Sequence, residues 1–493
     1  MKAIEIIPKV KVKNKKILSL VYTPGVSQSC LKIKDNLEKV FELTNRSNSV
    51  AVLSYNYEDS LKRAIFLKET RTTDAYPLVI KQCPKEDLDM VKDAIMPNFM
   101  GVDTTLIEGM EYNNTEFIPT CSKGCIFPDN FKLEELEPVE LRSAFGGVIE
   151  TKVSDLIEYR KPVAIITDGS AILGLGNIGP TAGLPVMEGK AVLFKDLGDV
   201  DAMPLCLNTQ DPDKIKKICL LLEDSFSGIN LEDIKAPECF EIENYLIQNS
   251  KLPVFHDDQH GAAIATLAGL YNALKLTGKG LDKIKIVISG AGAAGQAIAR
   301  LLLKAGAKNI IMTDIFGIVY EGRQGNNQSL ENIAKLTNKL NLRGGLDIAI
   351  KDADVFIGVS AGNVLRPEMI ETMKSDPVIF ALANPIPEIM PDLAKKAGAK
   401  IYASGRPDFD NQINNSLVFP GLFDGVINAG IKKITDSIKI EVAKAISNMV
   451  TKDELDYNYI IPDPLDKTVA KNISACIIDH VRNLTTEFNK RPL

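Results

Sequence analysis

The feature that most restricts the fold of this chain is a unit that recurs from about residue 281 onward: an apolar run, a turn containing glycine, and then a helical pattern. This alternation predicts a parallel sheet with helices on both faces. Strands buried on both faces are apolar throughout, as are residues 285–289, 310–314, 354–360, 378–384 and 400–404. The fold class that we predict is therefore α/β, with a Rossmann-type doubly wound parallel sheet over residues 278–430.

The remaining sequence predicts two further regions. Up to residue 277, predicted strands at 163–167 and 191–194 alternate with helical patterns such as 262–276. We interpret this region as a separate α/β domain. After residue 430, apolar residues recur at three- and four-residue spacing, so residues 431–493 are predicted to form C-terminal helices.

Composition and charge exclude several function classes. The chain has 493 residues and a net charge of −6, and its Lys and Arg residues are scattered, so we expect no nucleic-acid partner. Its apolar stretches are far shorter than the ~20 residues that span a bilayer, and its first residues lack a secretory signal. We therefore expect a cytoplasmic protein without a membrane partner. Three histidines and no zinc-type cysteine pattern leave Lys, Tyr, Asp or Glu for acid–base chemistry.

Two segments, at residues 174–179 and 290–295, match the dinucleotide-binding pattern G-x-G-x-x-G. The pattern binds a pyrophosphate only where a helix starts directly after it, because the N-terminal amides of that helix face the ligand. Pro180 and Pro185 are expected to prevent a helix after the first segment, which we interpret as a packed turn. The second segment is followed by residues without helix breakers, so a helix can start there. It is the predicted NAD(P) site, formed by Gly290, Gly292, Ala293, Ala294 and Gly295.

Asp314 closes the next predicted strand, about 20 residues after Gly295. A carboxylate at this place can accept hydrogen bonds from both ribose hydroxyls of NAD, and it repels the 2′-phosphate of NADP. The sequence thus favours NAD over NADP. The alternative is that residues 290–295 form only a tight strand-to-helix turn.

Two acidic pairs follow apolar runs: Glu232 with Asp233, and Asp257 with Asp258. Clustered carboxylates repel one another unless a cation neutralises them, and oxygen ligands without cysteine suit Mg²⁺ or Mn²⁺. Either pair taken alone is also compatible with a solvated turn. In combination with the residues and motifs described next, they predict a divalent-metal site.

Further polar candidates are less distinctive in their local sequence. Lys190 is compatible with a surface lysine and Tyr22 with a turn-packing residue. Asn384 ends a predicted strand of the parallel sheet, at the edge where such sheets bind ligands, and Asn414 and Asn415 add neutral hydrogen-bond donors. These residues indicate a function only when they are considered together.

Taken together, the motifs of this sequence resemble those of the malic enzymes, and the match covers most of the chain. The motifs occur in the family's order, and chance agreement at so many sites is implausible. They are Tyr-Thr-Pro-Gly-Val (22–26), Thr-Asp-Gly-Ser-Ala-Ile-Leu-Gly-Leu-Gly-Asn-Ile-Gly (167–179), Pro-Val-Met-Glu-Gly-Lys (185–190), Asn-Leu-Glu-Asp (230–233), Phe-His-Asp-Asp-Gln-His-Gly (255–261), Ala-Leu-Ala-Asn-Pro (381–385) and Asn-Asn-Ser-Leu-Val-Phe-Pro-Gly (414–421).

The resemblance implies an activity and a set of partners. The reaction would be the oxidative decarboxylation of L-malate to pyruvate and CO₂ with reduction of NAD or NADP. Glu232, Asp233 and Asp258 would bind the metal, Mg²⁺ or Mn²⁺. The family also implies a homodimer or a larger homo-oligomer.

The resemblance also implies roles in catalysis and substrate binding. Lys190 and Tyr22 would transfer protons, Asn384 and Asn415 would bind malate, with Asn384 also beside the cofactor, and Asp257 would orient its neighbours. For Lys190 to remove the C2 hydroxyl proton, its pKa must be lowered toward neutrality by the nearby cation and by partial burial. Tyr22 would protonate C3 after CO₂ departs.

Two features depart from the family pattern. Short bacterial-type malic enzymes run almost directly from a segment like 48–54 into one like 167–179. We therefore assign residues 55–160 to an inserted subdomain of unknown role, and residues 1–54 and 161–277 to the N-terminal catalytic domain. Ala171 stands where long-form malic enzymes carry an arginine that helps bind the substrate carboxylate, so another basic group must serve.

Other functions remain compatible with these residues. A malolactic-type enzyme, which converts malate to lactate, would present nearly the same site. A metal-free oxidoreductase like the amino-acid dehydrogenases shares the two-domain layout but gives the acidic residues no purpose. A catalytically inactive nucleotide-binding or scaffold protein would have no need to keep Lys190, Tyr22 and the acidic residues together.

Overall fold

The computed structural model describes residues 11–104, 106–107 and 161–489, except positions 16, 19–25, 45, 47–48, 57–59, 62–63 and 65–73. Within this part of the chain, the strands form three sheets and helices connect them. The sheets are parallel apart from one short edge strand. The predicted α/β fold class is confirmed. Tyr22 and most of the predicted insert lie outside the described residues.

The first sheet combines strands from both sides of the predicted start of the insert. After helices α1 (Ser27–Asp35) and α2 (Val40–Leu43), strand β1 (Ser49–Ser54) lies between β2 (Asp74–Val79) and β3 (Gly101–Asp103), with parallel pairing on both sides. Helix α3 (Lys85–Ile95) joins β2 to β3 and buries one apolar face. The boundaries at residues 54 and 160 stay a prediction.

The second sheet brings the acidic pairs together. It contains β4 (Val163–Thr167), β5 (Ala202–Cys206), β6 (Gly228–Leu231) and β7 (Val254–His256), in the order β5-β4-β6-β7 and all parallel. Because parallel strands end at the same edge, Glu232 after β6 and Asp257 after β7 lie side by side. The helices of this region are α4 (Pro180–Gly198), α5 (Pro212–Leu222), α6 (Glu238–Asn249) and α7 (Asp257–Thr277).

Helix α4 shows that two expectations from the sequence were wrong. The helix begins at Pro180, although Pro180 and Pro185 were expected to prevent it, and it includes residues 191–194, which were predicted as a strand. Pro180 lies in the first turn, where its missing N–H has no partner to lose. Pro185 does break one hydrogen bond, but most residues of α4 are buried, so tertiary packing outweighs local propensity.

The third sheet is the predicted Rossmann-type sheet. Its strands are β8 (Lys285–Ser289), β9 (Asn309–Asp314), β10 (Gly317–Ile318), β11 (Val355–Gly358), β12 (Val378–Ala381) and β13 (Ile401–Ser404). They are ordered β10-β9-β8-β11-β12-β13, and only β10 is antiparallel to its neighbour. The strand order reverses beside β8, which is where open α/β sheets bind ligands. The helices of this sheet are α8 (Ala293–Lys304), α9 (Gln328–Ala334), α10 (Leu346–Ile350), α11 (Pro367–Glu371) and α12 (Pro391–Lys396).

The C-terminal helices pack against one another and against helices of the two preceding regions. Helix α13 (Phe419–Asn428) is followed by α14 (Asp436–Met449), which packs on α7, and by α15 (Thr468–Asn489), which packs on α13 and α14. The rings of Phe419 and Phe423 on α13 lie 4.5 and 5.6 Å from the ring of Phe194 on α4. Among the described helices, none is long and apolar enough to cross a membrane.

Replacing Asn272 by alanine should destabilise the fold. The buried Asn272 amide donates hydrogen bonds of 2.9 Å to the carbonyls of Ser447 and Ile460, and so links α7 to the C-terminal helices. Removing the donor should lower the free energy of unfolding by about 1–3 kcal/mol, measured by urea denaturation. The control is Asn428→Ala, since Asn428 is exposed and bonds only within α13. Equal stability of the two variants would contradict the role of Asn272.

Candidate active site

Lys190 is the centre of the acidic cluster. Its side chain is fully buried on α4, and its Nζ lies 2.5 Å from Asp257 Oδ2 and 2.7 Å from Glu232 Oε2. The ring of Phe419 lies 4.2 Å from the same Nζ, a cation–π distance. Residues from three other parts of the chain therefore surround this ammonium group on α4.

The pKa of Lys190 is raised in this structure, whereas the sequence analysis expected it to be lowered. Burial lowers the pKa of an ammonium group, but the Asp257 and Glu232 carboxylates outweigh this effect and raise the pKa of Lys190 above its ordinary value. The expectation of a lowered pKa assumed partial burial beside a cation. In this structure the Nζ of Lys190 is instead held between the Asp257 and Glu232 carboxyl groups.

The three predicted metal ligands lie at the carboxyl ends of β6 and β7. Glu232 and Asp233 are buried directly after β6, and Asp258 Oδ2 accepts a hydrogen bond of 2.7 Å from the backbone N–H of Asp233. Burial raises the pKa of each of these carboxyl groups. Repulsion from Asp258 adds to the rise for Glu232 and Asp233. Such mutual destabilisation of negative charge is what a bound cation relieves.

The donor atoms at this cluster fit a hard divalent cation. They are carboxylate oxygens, and among the described residues the buried Asp233 Oδ2 and Asp257 Oδ1 have no hydrogen-bond partner. No group of three His, Cys, Asp or Glu side chains in the described ranges is arranged as a ready-made metal site. One oxygen each of Glu232 and Asp257 contacts Lys190.

Asn415 is fixed against the same cluster. Its Nδ2 donates a hydrogen bond to Asp257 Oδ2, so Asp257 joins Asn415 to Lys190. Gly261 on α7 leaves the space for this arrangement, because a Cβ there would lie 2.0 Å from Asp257 Oδ1 and 2.9 Å from Asn415 Cβ. The predicted substrate residue Asn415 and the predicted catalytic residues thus share direct contacts.

Asn384 lies near the first glycine-rich segment. Asn384 lies in the loop after β12, and a Cβ on Gly174 would lie 3.7 Å from its carbonyl oxygen. Ala171, which precedes this segment, contacts the acidic cluster: its backbone N–H donates a hydrogen bond of 2.9 Å to the carbonyl of Asp233. The segment at 174–179 is largely exposed, and α4 starts directly after it at Pro180, so the reason for interpreting it as a packed turn does not hold.

The second glycine segment has the geometry of a dinucleotide loop. Gly290 has a φ of 113°, and a Cβ on Gly295 would lie 1.8 Å from the carbonyl oxygen of Gly290, so neither position tolerates a side chain. A Cβ on Gly292 would meet nothing within 4 Å, so a ligand can approach the backbone there. Helix α8 starts directly afterwards, at Ala293 and Ala294, and presents its N-terminal amides to this space.

Asp314 has a partner that the sequence analysis missed. Arg323 Nη1 donates 2.8 Å to Asp314 Oδ1, and Arg323 Nη2 donates to the other carboxylate oxygen. This bond raises the pKa of the Arg323 guanidinium. The two residues are nine positions apart, joined by the β9–β10 hairpin, and no motif marks the arginine.

Glu243 is a second residue that sequence reasoning missed. From α6, its buried carboxylate accepts hydrogen bonds of 3.0 Å from the His256 backbone N–H and the Gln259 side chain, and it lies 2.9 Å from His260 Nε2. Burial alone raises the pKa of Glu243, but the histidine contacts lower it to about 2. Glu243 thus fixes the junction of β7 and α7 that carries Asp257 and Asp258.

Comparisons with known proteins identify the family of this chain. The family model described as the malic enzyme N-terminal domain matches residues 138–247, and the malic enzyme NAD-binding domain matches residues 259–482. A relative from Bacillus subtilis, named bifunctional malic/malolactic enzyme, is 50 % identical over 363 residues, which cover 70 % of this chain and 88 % of that protein. The chain belongs to the malic enzymes.

Solved structures of other malic enzymes share the fold. A NAD-dependent malic enzyme from Thermotoga maritima is 35 % identical, with a TM-score of 0.62 and coverage of 97 % of this chain and 96 % of that one. A malic enzyme from Pyrococcus horikoshii is 34 % identical, with a TM-score of 0.63 and coverage of 98 % and 87 %. Other relatives include a NAD-dependent malic enzyme from Geobacillus stearothermophilus, 48 % identical over 66 % of this chain and 68 % of that protein.

Adding Mn²⁺ should raise the midpoint of thermal unfolding of this malic enzyme. A ligand that binds only the folded state stabilises it, by about 2.7 kcal/mol at a hundred times its Kd. The effect should be smaller at pH 6 than at pH 8, because protons compete with the cation for carboxylates. Differential scanning fluorimetry with and without Mn²⁺ measures the shift.

Two variants show whether the predicted ligands are responsible for this stabilisation. Asp258→Asn should lose most of the Mn²⁺-dependent shift, whereas Asp453→Asn, at an exposed position after α14, should keep it. An equal shift in wild type and Asp258→Asn would contradict the assignment of the metal site.

Proposed function

We propose that this malic enzyme oxidatively decarboxylates L-malate to pyruvate and CO₂, with reduction of NAD or NADP and with Mg²⁺ or Mn²⁺ bound by Glu232, Asp233 and Asp258. The observation that carries the proposal is the buried Lys190 ammonium held between Asp257 and Glu232 at the carboxyl edge of the second sheet. Such an edge is where parallel sheets bind ligands. The family membership identifies malate as the substrate class.

Lys190 is the proposed base for the C2 hydroxyl proton of malate. A protonated ammonium cannot accept a proton, so its pKa must fall before it acts. Glu232 is both a predicted metal ligand and a partner of Lys190, 2.7 Å away. Turning this carboxylate toward a cation removes one of the two charges that raise the pKa of Lys190. Metal binding and activation of the base are therefore coupled through Glu232.

Other residues of this chain bind the substrate and complete the proton transfers. Asn415, held by Asp257, and Asn384, in the loop after β12, are the proposed malate-binding amides. Tyr22 is the proposed donor of the proton to C3 once CO₂ has left. When bound, the dinucleotide accepts the C2 hydride and the divalent cation acts as a Lewis acid toward the C2 oxygen.

The proposed cofactor is NAD rather than NADP. Relatives of both kinds exist, including an NADP-dependent malic enzyme from Halomonas elongata that is 42 % identical over 64 % of this chain and 78 % of that protein. In this chain both carboxylate oxygens of Asp314 accept hydrogen bonds from the Arg323 guanidinium. A 2′-phosphate would have to separate this pair and lie beside a carboxylate. Asp314 thus disfavours NADP, and Arg323 fixes Asp314 in place.

Replacing Asp314 by serine should shift the cofactor preference. The change removes the repelling carboxylate and frees the Arg323 guanidinium for a 2′-phosphate, so kcat/KM for NADP should rise about tenfold or more relative to NAD, a difference of about 1.4 kcal/mol. Steady-state rates with both cofactors at saturating malate measure the ratio. Asp282→Ser, at an exposed position before β8, is the control. An unchanged ratio in Asp314→Ser would contradict the role of Asp314.

A malolactic reaction is the second candidate. Its support is the name of the Bacillus subtilis relative, bifunctional malic/malolactic enzyme. The two reactions differ in their products, since malate is converted either to pyruvate with reduced cofactor or to lactate without net reduction. The metal-free oxidoreductase and the inactive scaffold have no comparable support. A homodimer or larger homo-oligomer stays a prediction from the family.

The decisive assay combines purified protein, L-malate, Mn²⁺ and either NAD or NADP, and follows reduced cofactor, pyruvate and lactate. Reduced cofactor and pyruvate should appear in equal amounts and disappear with EDTA. Lys190→Ala should lower kcat about 100-fold or more, the usual effect of removing a general base. Lys432→Ala, at an exposed position, should leave the rate unchanged. Lactate without reduced cofactor would support the malolactic reaction, and no turnover would contradict both candidates.

A further inference from the structure

Glu388 is a buried carboxylate that the proposed mechanism does not use. It is fully buried in the loop after β12, the loop that also carries Asn384. Its Oε1 accepts a hydrogen bond of 2.9 Å from the backbone N–H of Ser360, and its Oε2 accepts one of 3.1 Å from the backbone N–H of Ala383. Ser360 follows β11 and Ala383 follows β12, so one carboxylate joins two loops at the carboxyl edge of the third sheet.

A third loop is joined through Ser360. The Ser360 hydroxyl lies 3.1 Å from the hydroxyl of Ser289, the last residue of β8, which directly precedes Gly290. Glu388 therefore connects, through one serine, to the start of the proposed dinucleotide loop. The three loops concerned follow β8, β11 and β12, which are neighbours in the order β8-β11-β12.

The backbone around Glu388 leaves space for its carboxylate and pairs the two loops on either side. A Cβ on Gly358, the last residue of β11, would lie 2.3 Å from Glu388 Cδ, so the glycine leaves the space that the carboxylate occupies. The two loops also pair directly, since Leu365 N–H donates 3.0 Å to the carbonyl of Glu388 and Asn363 N–H donates 3.0 Å to that of Pro387. A side chain that merely filled space would not need this set of donors.

The surroundings of Glu388 shift its pKa. Burial raises the pKa of this carboxyl group to about 7, against the hydrogen bonds from Ser360 and Ala383 that lower it. The titratable group that faces it from β13 is Tyr402, whose hydroxyl donates 2.9 Å to the carbonyl of Ile389. Ser360, in the loop after β11, also faces Glu388 and carries no charge. The carboxylate accepts both N–H bonds fully, whereas the protonated acid has one oxygen occupied by its own proton.

We propose that Glu388 is a positioning residue whose ionised carboxylate holds the loops after β8, β11 and β12 in the arrangement that binds the dinucleotide. The inference rests on the proposed NAD(P) site at residues 290–295. It adds that deprotonation of Glu388 strengthens dinucleotide binding, so affinity rises with pH across neutrality.

The test measures the Kd of NADH, and of NADPH in parallel, by fluorescence titration at pH 6, 7 and 8. Wild type should bind the reduced dinucleotide more tightly at pH 8 than at pH 6. Glu388→Gln, whose amide nitrogen cannot accept an N–H bond, should bind about tenfold more weakly at pH 8 and should lose the dependence on pH. The pH profile separates positioning from a purely structural effect, which would not remove that dependence.

Asp354→Asn is the matched control. Asp354 is a buried carboxylate at the amino end of β11, where it accepts from Lys285 N–H at 2.9 Å and pairs with Lys279 and Lys374 at 3.2 and 3.0 Å. It therefore lies at the opposite edge of the same sheet. Its replacement should lower the thermal midpoint but leave the Kd of NADH and its pH profile unchanged.

The outcomes distinguish the inference from the proposed site. Folded Glu388→Gln with wild-type affinity and a wild-type pH profile would overturn the role of Glu388 alone. If Glu388→Gln does not fold, Ser360→Ala decides, because it keeps both backbone bonds but removes the link to Ser289. That variant should weaken NADH binding severalfold, and unchanged affinity would overturn the proposal. Failure of wild type and Asp354→Asn to bind either dinucleotide would instead contradict the NAD(P) site.

Discussion

The buried ammonium group of Lys190 is the interaction on which the rest of the active site depends. A cation without access to water requires counter-charges in direct contact, because an unpaired buried charge is very unstable. Asp257 and Glu232 satisfy this requirement, and the ring of Phe419 packs against the same group. Elements distant in the sequence, namely α4, β6, α7 and α13, must therefore meet at one point, and the acidic ligands of the proposed metal site meet there with them.

The same meeting point joins the two larger sheets. Helix α7 begins at the carboxyl edge of the second sheet with Asp257 and packs along α8 of the third sheet. The turn at Gly174 contacts the Asn384–Pro385 segment, which follows β12. Because parallel sheets bind ligands at their carboxyl edges, the proposed substrate and metal sites are expected at this edge of the second sheet and the proposed dinucleotide site at this edge of the third. The buried carboxylate of Glu243 accepts a hydrogen bond at the end of β7, and that of Glu388 accepts hydrogen bonds from the loops after β11 and β12.

Local sequence predicted the third sheet well because strands buried on both faces have an unmistakable composition. The five predicted strands are all present, although β11 and β12 end earlier than predicted. The same local reasoning failed at α4. Pro180 and Pro185 are breakers in an isolated segment, but the helix is stabilised by the burial of most of its length, which no local pattern reports.

The sequence by itself determined the fold class, the family and the identities of the proposed site residues, because glycine spacing, strand composition and motif order are properties of the chain alone. Only the tertiary structure decided which charges oppose one another. The raised pKa of Lys190, the Asp314–Arg323 pair and the position of Glu388 between three loops all depend on contacts between residues that are separated along the chain or brought together by a turn. Electrostatic energies depend on distance and burial, and neither quantity exists until the chain has folded.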